Sequence, residues 1–87
     1  MAKLPPYDRL EDLPGVGKAV AGDYRRLGIA DAAAVARTDP HELYERIQEL
    51  DGPTDPCMLY TFRCAHYAAS DDDPDTELLA WWKWKDR

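Results

Sequence analysis

Leu13-Pro14-Gly15-Val16-Gly17-Lys18 is the stretch on which the reading of this chain turns. Upstream of it, Leu10 and Leu13 share one face of a short helix expected over Tyr7 to Leu13. Pro14 and two glycines break that helix, because proline removes an amide donor and glycine permits turns closed to other residues. Downstream, Val20, Tyr24 and Leu27 recur at i, i+4 and i+7, which predicts a second helix over Lys18 to Leu27. Gly28 follows as its expected left-handed terminus. Gly22 lies inside this helix and costs up to about 1 kcal/mol relative to alanine. A tight approach by another helix or by a ligand would account for it.

A glycine turn that opens a helix does more than connect. The first amides of the helix have no carbonyl partners, and the helix dipole is positive there. Without a Cβ in the way, a phosphate can approach the backbone closely. The pattern Leu10-x-x-Leu13-Pro14-Gly15-Val16-Gly17-x-x-x-Ala21-x-x-Tyr24 fits this chemistry. Val16 is expected to anchor the turn in the core, and Ala21 is small where two helices cross. The pattern reads as a helix-hairpin-helix motif, with Pro14, Gly15, Val16, Gly17 and Lys18 as a nucleic-acid phosphate site. Arg25 falls within about 20° of Lys18 on the helix wheel, so the two can contact successive phosphates of one strand, while Arg26 lies about 80° off that line. Such contacts read backbone and not bases, so sequence-independent DNA binding is expected. The competing reading keeps the hairpin as a plain connector without a ligand.

The net charge of −6 argues against a general polyanion binder. Its distribution is uneven. Residues 1–30 carry Lys3, Arg9, Lys18, Arg25 and Arg26 against four acids, about +1. Residues 31–56 come to −5 and residues 57–87 to −2. A phosphate-binding surface therefore belongs in the first third, and its contact with DNA is expected to be weak.

The rest of the chain reads as further helices. Asp31 caps a short one over Ala32–Arg37. Asp39-Pro40-His41-Glu42 combines a capping Asp, Pro at the first helical position and Glu three residues past the cap. That helix is expected to reach Leu50 with Leu43, Ile47 and Leu50 inward, before Gly52-Pro53 stops it. Asp55-Pro56 starts a helix to Ser70 that is apolar nearly all round, as in a central, buried helix. Asp71 to Asp75 reads as a solvated connector. Asp73 or Thr76 can cap a last helix carrying Leu78, Leu79, Trp81 and Trp82. No segment alternates with period two.

The expected fold is therefore all-α, a compact single domain of five to six helices over residues 7–87 behind a flexible arm at 1–6. It divides into a first hairpin unit (7–30), a connector (31–38), a second unit (39–70) and a Trp-rich C-terminal extension (71–87). The weak internal symmetry suits a SAM-like helix-hairpin-helix domain. If the duplication is real, the second copy is degenerate, with one Gly flanked by Asp51 and Asp55, and only the first keeps phosphate chemistry.

Trp81-Trp82-Lys83-Trp84-Lys85 has two readings. Aromatic rings beside cations can stack on single-stranded nucleic acid. Alternatively Trp81 or Trp82 fills the core beside Leu78, with the lysines solvated. Three tryptophans cannot all face inward from one short helix, so an exposed one is expected. Trp81, Trp82 and Trp84 thus form a candidate surface for a protein partner or homodimer, with a purely structural hairpin as the alternative to DNA binding.

No other chemistry is expected. Cys57 and Cys64 would lie roughly 10 Å apart along a helix, beyond the reach of a disulfide at about 7 Å. His66 sits about 160° from Cys64 on the wheel, so the three do not converge on a metal. Ser70 has no histidine partner set by sequence. Neither an enzyme nor a cofactor site is expected. The start of the chain lacks a signal-peptide pattern, and no apolar run approaches the roughly 18 residues of a membrane span. The expectation is a cytoplasmic protein with no membrane partner.

Several stretches occur together and in order: Leu13-Pro14-Gly15-Val16-Gly17-Lys18, Leu27-Gly28-Ile29, Asp39-Pro40-His41-Glu42-Leu43-Tyr44, Cys57-Met58-Leu59-Tyr60-Thr61-Phe62-Arg63-Cys64-Ala65 and Trp81-Trp82-Lys83-Trp84-Lys85. Over about residues 7–86 the chain resembles the short bacterial helix-hairpin-helix proteins labelled "pathogenicity locus", some of which carry a mitomycin-resistance label. The resemblance implies a stand-alone helical domain that binds DNA, with the hairpin role on Gly15, Val16, Gly17 and Lys18. The hairpin is shared with many DNA-repair and replication proteins, which implies a link to repair or recombination.

Overall fold

Three aspartates mark where helices begin. Asp31, Asp39 and Asp55 each accept a hydrogen bond of 2.9 Å from a first-turn amide, those of Ala34, His41 and Cys57. Pro40 and Pro56 occupy positions where a missing N–H is harmless. The structure, a computed structural model, describes residues 7–71 and 73–85, so the arm expected at 1–6 lies outside the described residues. Within them the α-helices are α1 (Lys18–Arg26), α2 (Ala32–Arg37), α3 (Pro40–Asp51) and α4 (Pro56–Ser70). Helix α1 ends as the sequence predicts. Gly28 has φ 83°, its amide donates to Arg25 O at 3.0 Å, and the Ile29 amide donates to Tyr24 O at 2.9 Å.

The chain is all helical, with no strand among the described residues. Among the described residues, four α-helices and three 3-10 turns stand in place of five to six helices. The helix expected over Tyr7 to Leu13 is a single 3-10 turn, Leu10–Asp12. Pro14 disfavours helical backbone at Leu13, which is extended at φ −73°, ψ 144°. The last helix is likewise two 3-10 turns, Thr76–Leu79 and Trp81–Trp84, parted by an extended Ala80. The Leu78 carbonyl, which a continuing α-helix would need, accepts instead from the Trp84 indole at 2.9 Å and from Cys64 Sγ at 3.5 Å.

Helix α4 is the centre of the packing. Helices α2 and α3 and both C-terminal turns lie against it. It buries Phe62, Cys64, Ala65, Ala68 and Ala69, while Met58, Leu59, Tyr60 and Tyr67 stay half-buried. Helix α1 joins through Tyr24, whose ring centroid is 4.9 Å from that of Phe62. The fully buried Tyr24 hydroxyl has no hydrogen-bond partner among the described residues. Two polar ties lock the helices together: Arg46 Nη2 donates to Leu27 O at 2.9 Å, and His66 Nδ1 donates to Val35 O at 3.1 Å.

Two expectations are corrected. Leu50 is 58% exposed although Leu43 and Ile47 on the same face are buried. The last turn of α3 meets the Arg26 guanidinium through Asp51. No other helix makes the tight approach expected at Gly22: a Cβ added there would meet nothing within 4 Å among the described residues.

Candidate nucleic-acid interface

The turn from Pro14 to Gly17 is fixed from inside. Its Val16 side chain is 5% exposed and belongs to the core, and the Val16 amide donates to Leu13 O at 3.1 Å. Gly15 takes φ 76°, a conformation that costs other residues strain. A Cβ at Gly15 would stand 3.6 Å from both Thr61 Cγ2 and Trp81 Cδ1, so the turn sits against α4 and the C-terminal segment. Pro14 is half-buried, whereas Gly15, Gly17 and Lys18 are exposed.

Helix α1 starts differently from the other three. Its N-cap is Gly17, which has no side chain to offer. Gly17 O accepts from the Ala21 amide at 2.9 Å. The amides of Lys18, Ala19 and Val20 have no protein acceptor among the described residues. They lie at the positive end of the helix, where amides without an intrahelical partner take water or an anion. The Lys18 ammonium is exposed and has no ion-pair partner among the described residues.

The arginines of α1 are engaged. Arg25 Nη2 donates to both Glu11 carboxylate oxygens, at 3.2 and 3.1 Å. A backbone hydrogen bond and the Arg25 guanidinium together hold the Glu11 carboxyl below its ordinary range. Arg26 bonds Asp23 at 3.1 Å and Asp51 Oδ2 at 3.0 Å, and it holds Asp51 below the usual carboxylate range. The structure thus brings Lys18 to the turn uncommitted and Arg25 with a partner of its own. Neither Glu11 nor Asp51 was foreseen in this role. No local spacing rule links residue 11 to 25 or 26 to 51, and only the folded chain joins them.

At the second turn the anion is built in. Gly52 has φ 81°, and Thr54 O accepts from the Tyr44 hydroxyl. The Asp55 carboxylate occupies the start of α4 through the Cys57 amide, which lowers its pKa.

One of the three tryptophans, Trp81, flanks the first turn. Trp81 is half-buried against Gly15 and Trp82 is 59% exposed. Their rings meet edge to face, with centroids 5.9 Å apart and planes at 87°. Trp84 is half-buried, 5.3 Å from the Tyr67 ring, with the Arg63 guanidinium 5.3 Å over its centroid. None of the three joins the buried core, contrary to the expectation that Trp81 or Trp82 fills it beside Leu78. Trp84 packs instead against Tyr67 and Arg63 of α4.

Cys57 is exposed and Cys64 buried, both as free thiols, and burial pushes the Cys64 thiol up to about 11. Among the described residues no three His, Cys, Asp or Glu side chains cluster as metal ligands would. No described helix is long and apolar enough to cross a membrane.

Fold and surface define a small all-helical domain whose first α-helix opens, uncapped, at a glycine turn lined by a tryptophan-rich segment. The family model for Cdd1, pathogenicity locus, matches residues 5–87, and the chain belongs to that family. The chain is also similar to the mitomycin resistance protein McrB of Streptomyces lavendulae, with 36% identity over 74 residues that span 84% of this chain and 67% of that protein. No solved structure matches it.

Proposed function

We propose that this chain is a non-enzymatic, cytoplasmic DNA-binding domain, in which residues 7–30 form a helix-hairpin-helix unit that holds a backbone phosphate without reading sequence. The observation that carries this is the contrast between helix starts. Three are closed by their own aspartates, while α1 presents a glycine in place of a capping side chain and, among the described residues, amides without protein acceptors and a Lys18 without an ion-pair partner. A phosphate oxygen supplies the acceptor that this end lacks. The carboxylate already seated at the second turn supports reading the 39–70 unit as a degenerate copy. A role in DNA repair or recombination belongs to the same proposal, and the relative's name attaches mitomycin resistance to that protein.

The binding is weak and salt-dependent, because few cations face the DNA. The test is a titration of labelled duplex DNA at low ionic strength with the wild type and Lys18→Glu. The charge reversal is expected to cost about tenfold or more in affinity, the scale of one charge-assisted phosphate contact. Absence of binding at low salt, or binding indifferent to Lys18→Glu, overturns the proposal.

A further inference from the structure

The second large feature of this surface is the exposed indole of Trp82, 59% open to solvent. It is not a loose side chain. Trp81 meets it edge to face at 5.9 Å, an arrangement that aromatic quadrupoles favour and that leaves a ring face open. Trp81 in turn lies against the Gly15 backbone. The platform and the turn are therefore neighbours across a single residue. Exposed Lys83 and Lys85 follow Trp82 closely in the chain, and with Lys18 they have no ion-pair partner among the described residues.

Taking the turn as a phosphate site, as proposed above, we infer that the turn and Trp82 form one composite site for single-stranded nucleic acid, with the backbone held at α1 and an unpaired base stacked on Trp82. The reason lies in what each ligand offers. A duplex presents phosphates to the turn, but its bases are stacked inside and give Trp82 no face. A single strand presents both. Cations beside an aromatic platform suit a strand of phosphates and bases, and base–aromatic stacking needs no particular base, in keeping with backbone contacts that read none.

The test uses the full chain and three labelled probes of equal length: an oligothymidylate, a duplex, and a strand with the same phosphates but no bases. Trp82→Ala is expected to weaken oligothymidylate binding about tenfold, the scale of one stacked base, and to leave the other two probes unchanged. Trp82→Phe restores most of the loss. Lys18→Glu weakens all three. Thermal unfolding of each variant confirms that the fold is intact, as expected for exposed positions.

If Trp82→Ala leaves oligothymidylate affinity unchanged while Lys18→Glu lowers it, the stacking role is overturned and the phosphate reading stands. If Trp82→Ala weakens all three probes equally, base stacking is again overturned. If Trp82→Ala acts and Lys18→Glu does not, the composite site fails together with the phosphate reading, and so it does if the wild type binds no probe. A wild-type dimer by sedimentation that Trp82→Ala dissociates, with oligothymidylate affinity unaltered, assigns the indole to a second copy of the chain and overturns the inference.

Discussion

Glu11 sets how much of the positive charge on α1 is available to a ligand. It engages Arg25 through both oxygens, yet both side chains reach solvent, Glu11 at 28% and Arg25 at 53% exposure. Pairs of this kind contribute little net free energy, so a phosphate can compete for the guanidinium. Replacing Glu11 by Gln removes the competitor. Glu11→Gln is expected to raise DNA affinity by about two- to fivefold, in line with the small value of an exposed pair. The measurement is the same low-salt titration, and an unchanged affinity would show that Arg25 takes no part. This partner explains what the sequence left hidden at the site. The roles of Gly17 and Lys18 follow from helix-end chemistry within a few residues, so they are legible. The state of Arg25 depends on a residue across the turn, and Trp81 reaches Gly15 only after α4 has brought them together.

At the scale of elements, the helix starts were the most legible features, because an aspartate and the proline after it act on amides two or three residues away. The Gly28 terminus was legible for the same reason. The 3-10 turns were not. Whether Thr76 to Trp84 forms one α-helix depends on which donors reach the Leu78 carbonyl, and those come from an indole and from a thiol on another helix. Leu50 has the right periodicity but lies where α3 meets charge. Gly22 turns such a mismatch into a measurement. It occupies the interior of α1 with open space around it. Gly22→Ala is expected to stabilise the protein by about 0.5–1 kcal/mol, through the lower backbone entropy of the unfolded chain. In urea unfolding the midpoint rises while the m-value stays constant. A lower midpoint would reveal a contact that the open surface does not account for.

For the molecule as a whole, stability should form a plateau with two edges. Glu11, Asp51 and Asp55 titrate below the ordinary values of 4.5, 3.8 and 3.8. Groups whose folded pKa is depressed contribute fully above the unfolded value and lose that contribution as pH falls through the folded one. On the alkaline side burial raises Cys64 from 9.0 to about 11, and its contribution is lost as pH rises through that interval. Thermal unfolding is expected to be flat between about pH 5 and 8, to decline below about pH 4, and to decline again above about pH 9. Asp55→Asn makes the acid decline shallower, and Cys64→Ala does the same for the alkaline decline. An acid limb as steep in Asp55→Asn as in the wild type would remove that carboxylate from the account. The seat of Gly15 against Trp81 bears on how the chain assembles in time. It ties a turn near the beginning of the chain to one near its end, so the intervening helices must be in place before it can close. Local helices form quickly, and joining distant segments costs loop-closure entropy. This seam is therefore expected to zip shut last and to part first, and the same surface that greets a nucleic acid is the one whose closing marks the end of folding.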